Sequence, residues 1–470
     1  MSVVAARGRV GDEGHSVGGG WPALIAAGLS VALILIDGFI ISAAAPQITT
    51  AFNLRADHMG WLIAAYTLPL AVSPMLFGLA GDRFGGKPLF VSGMSLLIIA
   101  SLLCAASSSL PELTFCRFLQ GFGAAMLSPQ TLAAAAQSLG AARRGYAIGI
   151  WGSVSSLGLL AGPVVGGVIL AYLPWHAIFL MNVPLGLIAL IGFVLTVPDR
   201  TDMPPPSSQR WPIVSAGLLL CGASLIVMSL GSFFRGDMTG LAGAAFGGLL
   251  LYLWFRKEDR TPDEGSVLIG QTLVHNGIFL KSVAAAFAMN ASSAGTVAVL
   301  SLTVAQTQSG MPQSLLAGLI FMPAILVAAT VMPMAGKLAQ THSLTGQRLL
   351  FLSVIVAIAA PLMIGWSLGQ GDLRSLVLCA VAIACQGAAA SVLLSFAMVS
   401  ALVAAGPSRA GLGSGAISMA RNLGTALGAA ALTAAIATIG GPQTAFGVSA
   451  LFAAFALPYG IFIARRPISP

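Results

Sequence analysis

The chain has 470 residues, of which 57% are apolar and only 8% charged, with a mean hydropathy of +0.93 and a net charge of +8. A globular protein carries about 25% charged residues, and a surface this poor in charge cannot face water over its whole area. These figures argue against a disulfide scaffold, a nucleic-acid binder and a cytosolic enzyme, and they predict an all-α integral membrane protein.

A bilayer-crossing helix needs about 20 mostly apolar residues. After a Gly-rich polar tail over residues 1–20, expected to be a disordered cytoplasmic segment, that ruler marks fourteen spans in chain order. They cover 22–45, 58–80, 88–109, 112–137, 146–171, 175–197, 211–232, 238–255, 277–305, 313–336, 348–368, 374–402, 411–438 and 444–464. Span 1 is too long for a cleavable signal peptide. Polar linkers at 198–210 and 256–275 set spans 7 and 8 apart as a pair between two six-span blocks. The expected organisation is a tail (1–20), an N-terminal six-helix bundle (21–200), an extra pair with its linkers (201–275) and a C-terminal six-helix bundle (276–470).

With the N-terminus inside, sixteen Lys and Arg fall on the inner side and only Arg55, Arg235 and Arg374 on the outer side. That bias predicts cytoplasmic termini and an even number of spans. The two blocks echo one another. Gly78-Leu-Ala-Gly-Asp82 matches Gly336-Lys-Leu-Ala-Gln340, Gln120-Gly121 matches Gln386-Gly387, and Gly162-x-x-x-Gly166 matches Gly424-x-x-x-Gly428. Repeats of this kind are a transporter architecture.

Ionisable residues are scarce enough for elimination to be informative. The five cysteines lie in apolar stretches without metal-ligand spacing and are read as packing residues. All histidines, and every acid except Glu112 at the mouth of span 4 and Asp37, are placed in tails, loops or span ends. Paired buried carboxylates, a buried Ser/His pair and a metal centre are therefore not expected, and neither is an enzyme. A carboxylate at depth costs roughly 3 kcal/mol or more and marks transport function by default. Arg117 in span 4 falls at a matching depth in the outer half, so it is the expected partner of Asp37. Two readings stay open: a proton-responsive pair, or a fixed pair that locks helices. A carboxylate walled off in lipid-tight packing, unreachable from any aqueous vestibule, would contradict the first.

Arg421, near the middle of span 13, either reaches a cavity or satisfies carbonyls at a helix break. Lys281, near the end of span 9, is expected to snorkel. Gly158, Gly162, Pro163, Gly166 and Gly167 line span 5 and allow close approach and a bend. Between spans 2 and 3, Gly78, Asp82, Arg83, Gly85 and Lys87 form a tight turn whose acid could cap a helix N-terminus, pair with a base, or stand in solvent.

Several of these segments together resemble the major facilitator superfamily. Gly78-x-x-x-Asp82-Arg83-x-Gly85-x-Lys87, Arg117-x-x-Gln120-Gly121-x-Gly123 and Gly158-x-x-x-Gly162-Pro163-x-x-Gly166-Gly167 are similar to three of its motifs, the last characteristic of its exporters. Ile36-Asp37 with Ala45-Pro46-x-Ile48, Trp175…Phe179-Leu-Met-Asn182-Val-Pro184 and Arg421-Asn422-Leu-Gly424 resemble its fourteen-span drug:proton antiporters. The resemblance implies two pseudo-symmetric six-helix bundles plus two extra helices. It implies Asp37 as protonation site, Arg117 as modulating partner, Asp82 and Arg83 in a cytoplasmic gate, and Gly162-Pro163 as hinge. Gln120, Arg421 and Asn422 become candidate cavity residues. Gly86 stands where the turn motif has a base, and Gln340 stands opposite Asp82.

The expectation is a bacterial inner-membrane exporter that exchanges protons for hydrophobic or amphipathic small molecules by alternating access. It would run on the proton gradient without cofactor or metal, embedded in lipid as a monomer, with no nucleic-acid partner. A nutrient symporter or uniporter of the same fold, and a transport-inactive sensor or scaffold, are the alternatives.

Overall fold

The computed structural model describes residues 19–53, 56–198, 211–233, 239–261, 267–305, 313–341, 343–368, 373–436 and 441–465. The polar tail up to residue 18, Arg55, Arg235 and most of the linker at 198–210 lie outside these residues.

Eighteen α-helices follow in order: α1 (Gly20–Ala51), α2 (Ala56–Val72), α3 (Pro74–Phe84), α4 (Gly86–Ala106), α5 (Leu110–Ser138), α6 (Arg144–Tyr172), α7 (Ala177–Leu180), α8 (Asn182–Thr196), α9 (Ile213–Phe233), α10 (Thr239–Arg260), α11 (Gln271–Val274), α12 (Gly277–Ala305), α13 (Gln313–Thr341), α14 (Leu344–Leu368), α15 (Leu373–Ala405), α16 (Ala410–Ala435), α17 (Pro442–Ala454) and α18 (Leu457–Arg465). Long apolar segments become helices because a helix satisfies its backbone hydrogen bonds internally where no water can. Each expected span is one helix or a helix pair. Among the described residues eight are long and apolar enough to cross a bilayer, or nine when α2 and α3 count as one broken span. The fourteen-span count is therefore not established. Helices such as α5 and α16 fall short of the criterion because they carry small and polar residues, Arg117, Gln120, Arg421 and Asn422 among them, toward the protein interior.

Helices α1 to α8 pack mainly on one another, and α12 to α18 do the same. Large apolar side chains such as Leu195, Ile213 and Val164 stand more than half exposed on the outside, a surface suited to lipid. Within the first bundle α6 lies directly on α1: a Cβ added at Gly158 or Gly162 would meet the α1 backbone at Ala32 or Ile36 within about 3.0 Å. In the second bundle Gly424 and Gly428 meet α12 at Phe287 and Ala291 in the same way.

At their starts, Gly145 of α6 meets Gly336 of α13 and Gly411 of α16 meets Gly78 of α3. Thirteen residues on from Gly145 and from Gly411 stand Gly158 and Gly424. The structural counterpart of Gly424/Gly428 is thus Gly158/Gly162, one turn earlier than the sequence echo suggested. Gly167 has open space around it and takes no part in this seam.

Between α2 and α3 the axis bends by 49°. Pro74 has no N–H to return to Leu70, and the Leu70 carbonyl instead accepts a 2.9 Å bond from Asn422 Nδ2 of α16. Pro333 in α13 frees the Ala329 carbonyl in the same manner, and Ser153 Oγ of α6 donates to it at 3.1 Å. Each proline's orphaned carbonyl is thus satisfied from the opposite bundle.

Glu258, expected in a solvated linker, is inside α10 and fully buried. Its carboxylate accepts from the amides of Leu268, Ile269 and Gly270 at 3.0, 2.8 and 3.0 Å, folding the following loop back onto the helix.

Candidate functional site

Asp37 and Arg117 meet inside the first bundle, both 0% exposed, with Arg117 Nη1 3.0 Å from Asp37 Oδ2. Arg117 Nη2 also donates to the Asp37 carbonyl at 3.3 Å, and Nη1 to Gln120 Oε1 at 3.1 Å. The other carboxylate oxygen accepts from Asn182 Nδ2 of α8 at 2.5 Å. Ser101 Oγ of α4 receives Gln120 Nε2 at 2.7 Å and Asn182 Nδ2 at 3.3 Å, while Cys104 Sγ donates to Gln120 Oε1 at 3.2 Å. The guanidinium stacks 4.3 Å over the Tyr66 ring, whose hydroxyl donates to the Ile34 carbonyl at 2.7 Å. Five helices (α1, α2, α4, α5 and α8) thus converge on one charge pair. Arg117 Nε and Asn182 Oδ1 are buried without a partner.

The expected aqueous exposure of Asp37 is not met in this conformation. Both its oxygens are sealed, by polar protein groups and not by lipid-facing chains. Asn182, Ser101 and Cys104 were not among the expected site residues. Asn182 carried a signal, as a lone amide within the apolar stretch 177–196, whereas Ser101 and Cys104 look like ordinary small residues of a helix.

The second bundle contains an uncharged counterpart. Gln386 Nε2 of α15 donates to Ser292 Oγ and Thr296 Oγ1 of α12 at 3.2 and 3.1 Å, and Ser449 Oγ of α17 bonds both hydroxyls.

The turn after α3 faces the other bundle. Asp82 accepts from the amides of Gly411 and Leu412 at 2.7 Å each, capping the start of α16. Gln340, its sequence counterpart at the end of α13, accepts from the Gly145 amide at 2.9 Å and donates to the Ala141 carbonyl, so it caps α6. Asp82 is thus a helix cap, one of the readings open for it. Gly85 turns the chain with φ +97°, and a Cβ on Gly86 would lie 2.9 Å from Gln130 Oε1, so the base found there in the motif would require the Gln130 side chain, which bonds the Phe77 carbonyl, to move. Arg83 lies 5.2 Å over the Trp211 ring and Phe84 stacks on the same ring, so the turn also touches the segment that begins the extra pair. Arg143, Lys337 and Gln340 line a pocket at the same end of the molecule, which is the end where the basic turns gather.

Asn422 is spent on the Leu70 carbonyl. Arg421, half-buried, has its guanidinium carbon 5.3 Å from the centre of the Trp151 ring of α6. Lys281 is held 3.7 Å over the Phe462 ring.

Residues 27–429 match the Major Facilitator Superfamily. The chain is 31% identical over 443 residues to an uncharacterized MFS-type transporter of Mycobacterium tuberculosis, covering 92% of this chain and 73% of that protein. It is 26% identical over 428 residues to the multidrug resistance protein Stp of the same species, covering 88% and 75%. To the riboflavin transporter RibZ of Clostridioides difficile it is 26% identical over 410 residues, covering 87% of each. Its fold is similar to the crystal structure of the human organic anion transporter MFSD10, with a TM-score of 0.65 at 18% identity over 94% of this chain and 99% of that one. The chain is therefore a multi-pass membrane protein that belongs to the Major Facilitator Superfamily of transporters.

Proposed function

We propose that this transporter exports hydrophobic or amphipathic small molecules in exchange for protons, with Asp37 as the site that takes up H⁺. The observation that carries this reading is the setting of Asp37. Of the described acids only Asp37 and Glu258 are fully buried, and Glu258 is spent on three backbone amides. Protonating Asp37 takes away the anion that faces Arg117 but leaves the guanidinium two acceptors, Gln120 Oε1 and the Asp37 carbonyl. A protonated carboxyl is itself a donor, and Asn182 Oδ1 is an unpartnered acceptor on the same side chain that now binds Asp37. Neutralising Asp37 loosens the tie between α1 and α5, and the proton thereby acquires a different affinity in the two orientations. With the basic face in the cytoplasm, as the charge bias predicts, this conformation is closed toward the cytoplasm by the Asp82 and Gln340 caps, and coupling requires the Asp37 network to open in the other orientation. The relative Stp is a multidrug resistance protein, which favours drug-like cargo.

A second reading has an observation in its favour: both Asp37 oxygens are partnered and sealed, which suits a fixed structural lock. Asp37→Asn in proteoliposomes separates the two. Coupling predicts that efflux of the uncharged fluorescent amphiphile N-phenyl-1-naphthylamine driven by a pH gradient falls at least about tenfold, while exchange without a gradient persists. It also predicts faster alkylation of buried Cys104 in that variant, mapped by mass spectrometry. Wild-type gradient-driven efflux would leave only the lock. Uptake in vesicles of known orientation tests the nutrient-import alternative.

A further inference from the structure

Along the seam between bundles, two buried N–H donors lack an acceptor: Trp151 Nε1 of α6 and Arg421 Nε of α16, whose side chains are in contact. Trp151 is 1% exposed. One turn before Arg421, Ser418 Oγ is buried and also unpartnered. Ser418 lies on the stripe of α16 that bears Gly411, Ser414, Gly415 and Asn422, all of which touch the first bundle at Gly78, Pro129, Pro74 and Leu70. Among the described residues no carboxylate pairs with Arg421. Buried polar groups almost always find partners, and an uncompensated cation inside a membrane protein marks a functional site. The contrast with Arg117 sharpens the point. That residue is neutralised by Asp37, whereas among the described residues the charged group facing Arg421 is replaced by the face of an indole.

Arg421 lies eleven residues into α16, roughly 16 Å from the basic end at ~1.5 Å per residue. Its neighbour Asn422 still bonds Leu70 of the first bundle, so Arg421 stands in the seam between the bundles, away from the basic end.

We infer that Arg421 and Trp151 form an anion subsite for the transported molecule, taking the carboxylate, or the ionised phenol or enol, of an amphipathic organic acid. Arg421 supplies the charge and a donor, Trp151 Nε1 a second donor, and the indole ring an apolar flank for the body of the ligand. An unneutralised guanidinium at this place repels cations, so the subsite selects against quaternary ammonium compounds. The inference rests on the transport reading for its purpose, but it is tested without any proton gradient.

Purified protein in zwitterionic nanodiscs is titrated with pyrenebutyrate, its methyl ester and the matching pyrenyl trimethylammonium ion. The carboxylate is expected to bind at least about tenfold more tightly than the other two. Arg421→Gln removes that preference without changing affinity for the ester, and Arg421→Lys keeps part of it. Trp151→Phe, which retains a ring and deletes the donor, weakens the carboxylate about three- to fivefold. If Arg421→Gln does not fold, the Lys and Phe variants carry the test. Equal affinity for carboxylate and ester in the wild type, or a preference that survives loss of the guanidinium, overturns the subsite. Should the preference hold while Asp37→Asn pumps like wild type, proton coupling falls and the subsite stands.

Discussion

Arg117 shows how much one side chain can depend on its partners. Its charge is buried completely, and among the described residues Asp37 is the only anion against it. Removing one member of a buried pair strands the other, at a cost of about 3–5 kcal/mol, whereas replacing both members by neutral groups of similar shape is often nearly neutral. Arg117→Ala is therefore expected to lower stability by about that amount in a denaturant titration, and the Asp37→Asn/Arg117→Gln double variant by much less. Equal losses in the two would mean that charge burial is not what holds this site. The pair itself was legible in the sequence, because two lone charges at matching depth in apolar helices have nowhere else to go. Its surroundings were not. Ser101 and Cys104 acquire their role from the way α4 rotates against α5, and nothing in a run of small residues announces that.

At the scale of elements, glycine fixes how closely helices approach. A Cβ on Gly78 would lie 2.1 Å from the Gly411 carbonyl oxygen, a backbone atom that cannot swing aside. Helices α3 and α16 would have to separate by about 1 Å to regain ordinary contact. Gly78→Ala should therefore shift the protein toward conformations open at the basic end, read as a longer distance between spin labels on the turns after α3 and before α16. Gly217→Ala, with open space around the added carbon, should leave that distance unchanged. The small-residue stripes were visible in the sequence as glycines four apart. Their pairing was displaced by a turn because an Ala/Gly-rich helix offers several equivalent registers. The crossed satisfaction of Leu70 and Ala329 carbonyls was invisible, since it depends on which side chain of the other bundle reaches each proline gap.

Across the whole molecule the two bundles exchange clasps at the basic end, and the clasps are chemically unequal. Asp82 accepts two amides at the start of α16, where a negative charge is favoured by the helix dipole, by about 0.3–1 kcal/mol at exposed sites and up to ~2 when partly buried. Gln340 does a different job on α6: it accepts from Gly145 and simultaneously donates to the Ala141 carbonyl, a task that a carboxylate cannot perform. The sequence shows the Asp/Gln difference as a broken repeat, and the geometry explains it as two turns that present different unsatisfied groups. The prediction runs against simple charge counting. Asp82→Asn should open the basic end, lengthening the spin-label distance across it, because one of its two acceptors becomes an amide donor facing an N–H. Gln340→Glu adds the favourable charge at a helix N-terminus, yet it should also open that end, since a carboxylate oxygen then faces the Ala141 carbonyl with no proton between them. If Gln340→Glu instead tightens closure and shortens the distance, the dipole outweighs the lost donor, and the two halves close by charge alone.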